Sequence, residues 1–235
     1  MGYVDTNLAR EVVRLTGWKD KVFARRYQHV VISNEAEAQV ERLKYTLANG
    51  VKEGLVGRVL EWPGVHSAGA LLAGRSLEGT WFDRTKEYAA RMRGESFQTR
   101  DFTETETVVF EQLPCWKHLS PQAYRQRIGG LIAEIESEAA ADRAQTGCKP
   151  LGPKAILRQK PTDQPVKTKK SPAPLFHALR RTARKALYEA YSWFVAAFRT
   201  AAEKLQQEDQ TAAFPEGSFP PHLPFVRAVL AGVAG

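Results

Sequence analysis

The sequence predicts an α+β protein that is mostly helical. Two long stretches repeat apolar residues at helical spacing behind a Ser-Pro pair, and a shorter run is rich in β-branched and aromatic residues. The 235 residues are 43% hydrophobic and 26% charged, the mixture of an ordinary globular chain rather than a disordered one. That length allows one large domain or two small ones, each with a real core.

Along the chain, Asp5–Leu15 sets Leu8, Val12 and Leu15 at helical spacing, and Gly17 stops the pattern. Val22–Ser33 contains Val22, Phe23, Tyr27, Val30, Val31 and Ile32, which predicts a strand carrying Arg25 and Arg26. Asn34 followed by Glu37 matches a capping box, in which the two side chains serve each other's backbone N–H groups. A helix follows, with Val40, Leu43 and Leu47 as its buried stripe and Gly50 as its left-handed terminator. Residues 59–118 read as an irregular connector in which Trp62-Pro63-Gly64 and Trp81-Phe82-Asp83 anchor turns.

Ser120-Pro121 supplies a cap and a first-turn proline for a helix that places Tyr124, Ile128, Leu131, Ile132 and Ile135 on one face. A basic linker, residues 146–174, comes next. Ser171-Pro172 then opens a second long helix with the stripe Leu175, Leu179, Tyr191, Phe194, Val195, Phe198 and Leu205. The two stripes need partner surfaces, and packing on each other would satisfy both. Residues 213–235 form a Pro-rich tail, and the helical region is expected over 119–212.

The net charge of +8 favours polyanionic partners, since each phosphate neutralised by Lys or Arg releases condensed counterions. Eleven cations lie between Lys149 and Lys185 against Asp163 alone, and Arg180, Arg181, Arg184 and Lys185 are spaced to gather on one side of their helix, as a phosphate-contacting strip or simply a solvated face. Cys115 and Cys148 give neither a disulfide framework nor a zinc spacing, so a reducing cytoplasm is expected. No segment approaches the roughly 20 apolar residues of a membrane span, and Met1–Thr16 lacks the apolar run of a signal peptide. Glycine loops of the Walker or dinucleotide type are absent, Glu134 and Glu138 have no histidine partner for a metal, and His118 near Cys115 completes no triad.

The stretch Arg42–Val56 is the most informative. It runs Tyr45, three residues, Asn49, Gly50, Val51, Lys52, Glu53, Gly54, Leu55, Val56, with Trp62-Pro63 beyond. It resembles the signature of the REP-associated tyrosine transposases, single-tyrosine members of the HUH superfamily. Their helix reads Tyr, three residues, Asn, then Pro-Val-basic-Ala-Gly-Leu-Val; here Gly50 stands for the Pro and Glu53 for the Ala. Phe23–Tyr27, ending Arg26-Tyr27, resembles their strand ending in Arg-Tyr, and the likeness covers about residues 5–72 with gaps.

The resemblance implies a partial ferredoxin-like transposase fragment, residues 1–58 being the C-terminal part of a nuclease domain, followed by a helical C-terminal region. It also implies DNA transposition by a DNA endonuclease and strand transferase. A divalent metal, Mg or Mn, held by a His-hydrophobic-His pair, polarises the scissile phosphate, and the tyrosine attacks to leave a phosphotyrosine. A free phenol titrates near pKa ~10, so such help is chemically necessary. Tyr45 matches the nucleophile and Asn49 the position of a further metal ligand. DNA, single-stranded or hairpin, is the implied partner, contacted by Arg25, Arg26, Tyr27, Lys44 and Lys52. The implied location is the cytoplasm, in association with the nucleoid.

Helical geometry supports the pairing of Tyr45 with Asn49. Residues four apart share a face, and both lie about 140–180° from the Val40/Leu43/Leu47 stripe. The departure from the pattern is the histidine pair. His29 is followed by Val30 and Val31, and His66, His118, His177 and His222 are isolated. In the family the metal strand lies upstream by more residues than precede Tyr45 here. The expectation is therefore an N-terminally truncated relative that holds no catalytic metal by itself and cuts no DNA by itself. Two alternatives stand beside it: a helical protein-interaction module, for instance a homodimer, and a non-functional remnant of a mobile element.

Overall fold

The computed structural model describes residues 2–19, 21–23, 29–160, 174–207, 209 and 211–219. It is an α+β protein dominated by helix, with seven helices and four short strands among the described residues. The chain divides into two compact units, Met1–Leu175 and Phe176–Gly235.

The first unit begins with α1 (Gly2–Thr16), which Gly17 closes as anticipated: its φ is +66° and its N–H donates to the Val13 carbonyl at 2.8 Å. Leu8 and Leu15 on its apolar stripe remain exposed. The strand expected over Val22–Ser33 is reduced, among the described residues, to β1 (Val31–Ile32), and residues 24–28 lie outside those described.

Helix α2 (Ala36–Lys52) differs from expectation at both ends. Glu35, not Asn34, is the N-cap residue, and no side chain caps the helix; the Glu35 carboxylate instead accepts a 2.7 Å hydrogen bond from the Ser33 hydroxyl. The capping box of Asn34 and Glu37 fails because the helix starts later than that spacing requires. At the other end Gly50 is ordinary helix, and Gly54 is the left-handed residue, with φ +67°. Gly50 serves close approach instead: a Cβ there would lie 3.0 Å from the Trp62 ring and 3.2 Å from the Val56 side chain.

Beyond a 3-10 turn at Val59–Glu61 come α3 (Ala68–Ala73), β2 (Leu77–Phe82), α4 (Arg84–Met92) and β3 (Thr103–Val108). Residues 59–118 are thus not an irregular connector. Strands β2 and β3 form an antiparallel ribbon in the register Leu77↔Val108 to Phe82↔Thr103. Asp83 caps α4 by accepting from the N–H groups of Thr85 and Lys86 at 3.1 and 3.0 Å. The ribbon was hidden because β3 alternates Thr with Glu and exposes nearly every residue, leaving no apolar period. Glu11 of α1 pairs with Arg84 at the start of α4.

Helix α5 (Pro121–Thr146) follows the sequence closely. The Ser120 hydroxyl accepts from Ala123 N–H at 3.2 Å, Gly147 ends the helix at φ +70°, and all five stripe residues are buried. Tyr124, Ile128, Ile132 and Ile135 form one core with Leu47 and Val51 of α2, with Val56 and Val59, and with Ala68 and Leu71 at α3. Trp62 and Leu43 pack against that cluster. The chain then returns along the end of α2, where Leu151 and Gly152 donate to the Gly54 and Leu55 carbonyls at 2.9 and 2.8 Å, and forms α6 (Pro153–Arg158).

The second unit contains β4 (Phe176–His177) and α7 (Arg181–Gln206). The helix starts later than the Ser171-Pro172 signal, which lies outside the described residues; Leu175 and Leu179 precede it rather than begin its stripe. Phe176 is buried with its ring edge-on to Tyr188 and Tyr191, at 4.9 and 5.8 Å between centroids. Phe198 meets Phe214 in the same manner at 5.2 Å. No described helix is long and apolar enough to cross a membrane.

Candidate nucleic-acid interface

The core fixes which side of α2 faces solvent. Leu47 and Val51 point into the cluster shared with α5, and stepping back two residues from Leu47 turns the helix by about 200°. Tyr45 therefore projects outward and is 48% exposed, and Asn49, one turn on, is exposed as well. Two cations hold the phenol ring. The Arg42 guanidinium carbon lies 5.3 Å from the ring centroid and the Lys52 ammonium 4.8 Å. Such contacts are attractive because the π-face is electron-rich, and they keep cationic charge beside the ring. The Arg42 Nε is shielded from solvent and makes no hydrogen bond.

Lys44 has a different task from the phosphate contact its charge suggested. Its ammonium donates to Glu134 at 2.7 Å and to Glu138 at 2.8 Å, both on α5. Those hydrogen bonds hold its pKa above the ordinary lysine value, burial opposing them. The two carboxylates considered as a metal site thus tie α5 to α2. Glu136 works likewise: it accepts from Val59 N–H at 3.0 Å and fixes the 3-10 turn.

Of the expected site residues, the structure places Tyr45, Asn49, Lys44 and Lys52 on α2, and only the first two with Lys52 face solvent without a carboxylate partner. Arg25, Arg26 and Tyr27 lie outside the described residues. Arg42 was overlooked, although its position three residues before Tyr45 is a helical neighbour spacing and marks the contact. Also overlooked was a groove of about 660 Å³ between α2 and α5, with Tyr45 on its lining. Only a pairing of the two helices, invisible in one-dimensional periodicity, creates it.

Among the described residues no group of three or more His, Cys, Asp or Glu side chains is placed to hold an ion, and Asn49 offers a single amide oxygen. His66 is engaged: its Nδ1 accepts from Ala68 N–H at 3.1 Å at the start of α3, and burial lowers its pKa against a hydrogen bond with the Leu47 backbone. No step through a metal is derived. Cys115 is half-buried, with burial pushing its thiol pKa up, and its N–H donates to the buried Gln39 side chain at 3.1 Å. Comparisons with known protein families, with curated proteins and with solved structures found no match.

Proposed function

We propose that this chain is a transposase-like DNA-binding protein that takes single-stranded or hairpin DNA on the outer face of α2. One observation carries the reading: an exposed tyrosine, opposite the core stripe, flanked by Arg42 and Lys52. A ring of that kind stacks on a base while the adjoining cations meet phosphates, and every base has a π-face to offer. The net charge of +8 adds long-range attraction. In this reading residues 1–58 are a partial ferredoxin-like fragment related to the single-tyrosine transposases, and the protein works beside the nucleoid.

Strand cleavage and rejoining are not assigned to the chain alone, because among the described residues no metal-ligand cluster stands beside Tyr45 to activate a phosphate. Fluorescence anisotropy with labelled single-stranded and hairpin DNA tests the binding, which is expected to weaken as salt rises. Absence of binding, or binding indifferent to salt, overturns it. Incubation with DNA and Mg or Mn tests the second part: a covalent adduct lost in Tyr45→Phe would show that the chain is a complete nuclease after all.

A second reading rests on α7, where Trp193 is 66% exposed and Tyr188 also faces solvent. Exposed aromatics of this size suit a helical protein-interaction module, with self-association as its simplest form. Light scattering of the full chain decides it: a dimer that Trp193→Ala dissociates favours this reading, and a monomer at all concentrations removes self-association.

A further inference from the structure

The groove between α2 and α5 has an apolar floor, formed by Ala48 and Val51 of α2 and by Ile135 and Ala139 of α5. Tyr45 and Lys52 line it from α2, Arg143 from α5, and Cys148 and Lys149 from the segment that follows. Lys44 is committed to Glu134 and Glu138 together, so its single charge offsets that of the Glu138 carboxylate on this lining only in part. Lys52, Arg143 and Lys149 form no ion pair among the described residues. Arg143 is incompletely satisfied: Nη2 reaches the Gly57 carbonyl at 3.4 Å, whereas Nη1 is shielded and without a partner. Shielded Nη1 offers nothing to a ligand in the groove; an anionic acceptor would meet the remaining N–H groups of this guanidinium, which pairs with no carboxylate among the described residues.

The occupant must combine a flat apolar body for the floor with an anionic group for the cations. A purely apolar segment would strand Arg143, and a bare anion would leave the floor empty. A nucleotide meets both demands, and 660 Å³ lies within the range that holds ligands of that size. Glu53 and Asp142, also on the lining, are acceptors suited to the exocyclic amine of a base. We infer that the groove is a nucleotide pocket: an amine-bearing base lies on the apolar floor beside Tyr45, and its phosphate meets Lys52, Arg143 and Lys149. This rests on the reading of α2 as a nucleic-acid face, and extends it from surface contact to the seating of one splayed-out nucleotide.

Cys148, exposed on the lining, is a built-in reporter. In the full chain carrying Cys115→Ser it is the single thiol, and its reaction rate with an aromatic disulfide reads occupancy. Adenosine 5′-monophosphate is expected to slow that reaction about tenfold at about ten times its dissociation constant. Ribose 5-phosphate at the same concentration is expected to give no protection, and a single-stranded oligoadenylate is expected to protect. Arg143→Met should abolish protection while the helical circular dichroism persists; if that variant loses its fold, Lys149→Ala serves with the same expectation. Protection that survives in a folded variant, or equal protection by ribose 5-phosphate, overturns the pocket. An oligonucleotide that binds by anisotropy yet leaves Cys148 reactivity unchanged also overturns it, and leaves the α2 reading intact. No oligonucleotide binding at all removes the α2 reading itself.

Discussion

Replacing Gly50 by Ala sets two opposing effects against each other. Gly50 is inside α2, where alanine is favoured over glycine by about 1 kcal/mol through helix propensity. The added methyl, however, would sit 3.0 Å from the Trp62 ring and 3.2 Å from a Val56 methyl, both closer than comfortable contact. Val56 is buried and Trp62 packs on the core, so neither retreats freely, and overpacking of this kind costs about 1–3 kcal/mol. The net expectation is a loss of about 1 kcal/mol, read as a lower urea midpoint with an unchanged slope. The diagnostic is the same substitution in a Trp62→Ala background. With the ring gone, Gly50→Ala should become neutral or stabilising, a coupling that a double-mutant cycle isolates. If Gly50→Ala is equally damaging with and without Trp62, the ring is not what the glycine makes room for and the close-approach argument fails.

Three further outcomes follow from the same structure. Ile128→Ala, at a site with 0% exposure in the shared core, should cost about 2–5 kcal/mol in urea unfolding, and a loss below about 1 kcal/mol would mean that the core is misplaced. His66, whose pKa burial lowers, is favoured neutral in the fold, so the unfolded chain binds more protons just below its ordinary pKa of about 6.5. Its contribution is fully present above that pH and declines as pH falls below it; unfolding midpoints at successive pH values should drop less steeply in His66→Asn than in the wild type. Lys44→Ala should leave the salt dependence of DNA binding unchanged because its charge is spent on Glu134 and Glu138, whereas Lys52→Ala should reduce the slope by about 0.7.

Local signals carried α5 almost completely. Its cap, its terminating glycine and its five buried residues lie within one helix and answer to one period. The outward orientation of Tyr45 was legible for the same reason, since Leu47 sets the phase of α2. What failed was decided by other parts of the chain. Gly50 lies within α2 with Trp62 close against it, and Lys44 is engaged by Glu134 and Glu138 of α5. The β2–β3 ribbon escaped notice because β3 alternates Thr and Glu and exposes nearly all of its residues, and backbone pairing leaves no hydrophobic trace. On α7, the proline signal at Ser171-Pro172 preceded the described start at Arg181, with β4 between them.

The account turns on Tyr45 as a surface that meets a nucleic-acid base. The affinity of the wild-type chain for single-stranded DNA, set against that of Tyr45→Ala at one fixed low salt, measures this directly. Loss of one stacked base should weaken binding by about 1–3 kcal/mol while the helical signal is retained. Equal affinities in the two proteins would contradict the assignment of α2 as the binding face.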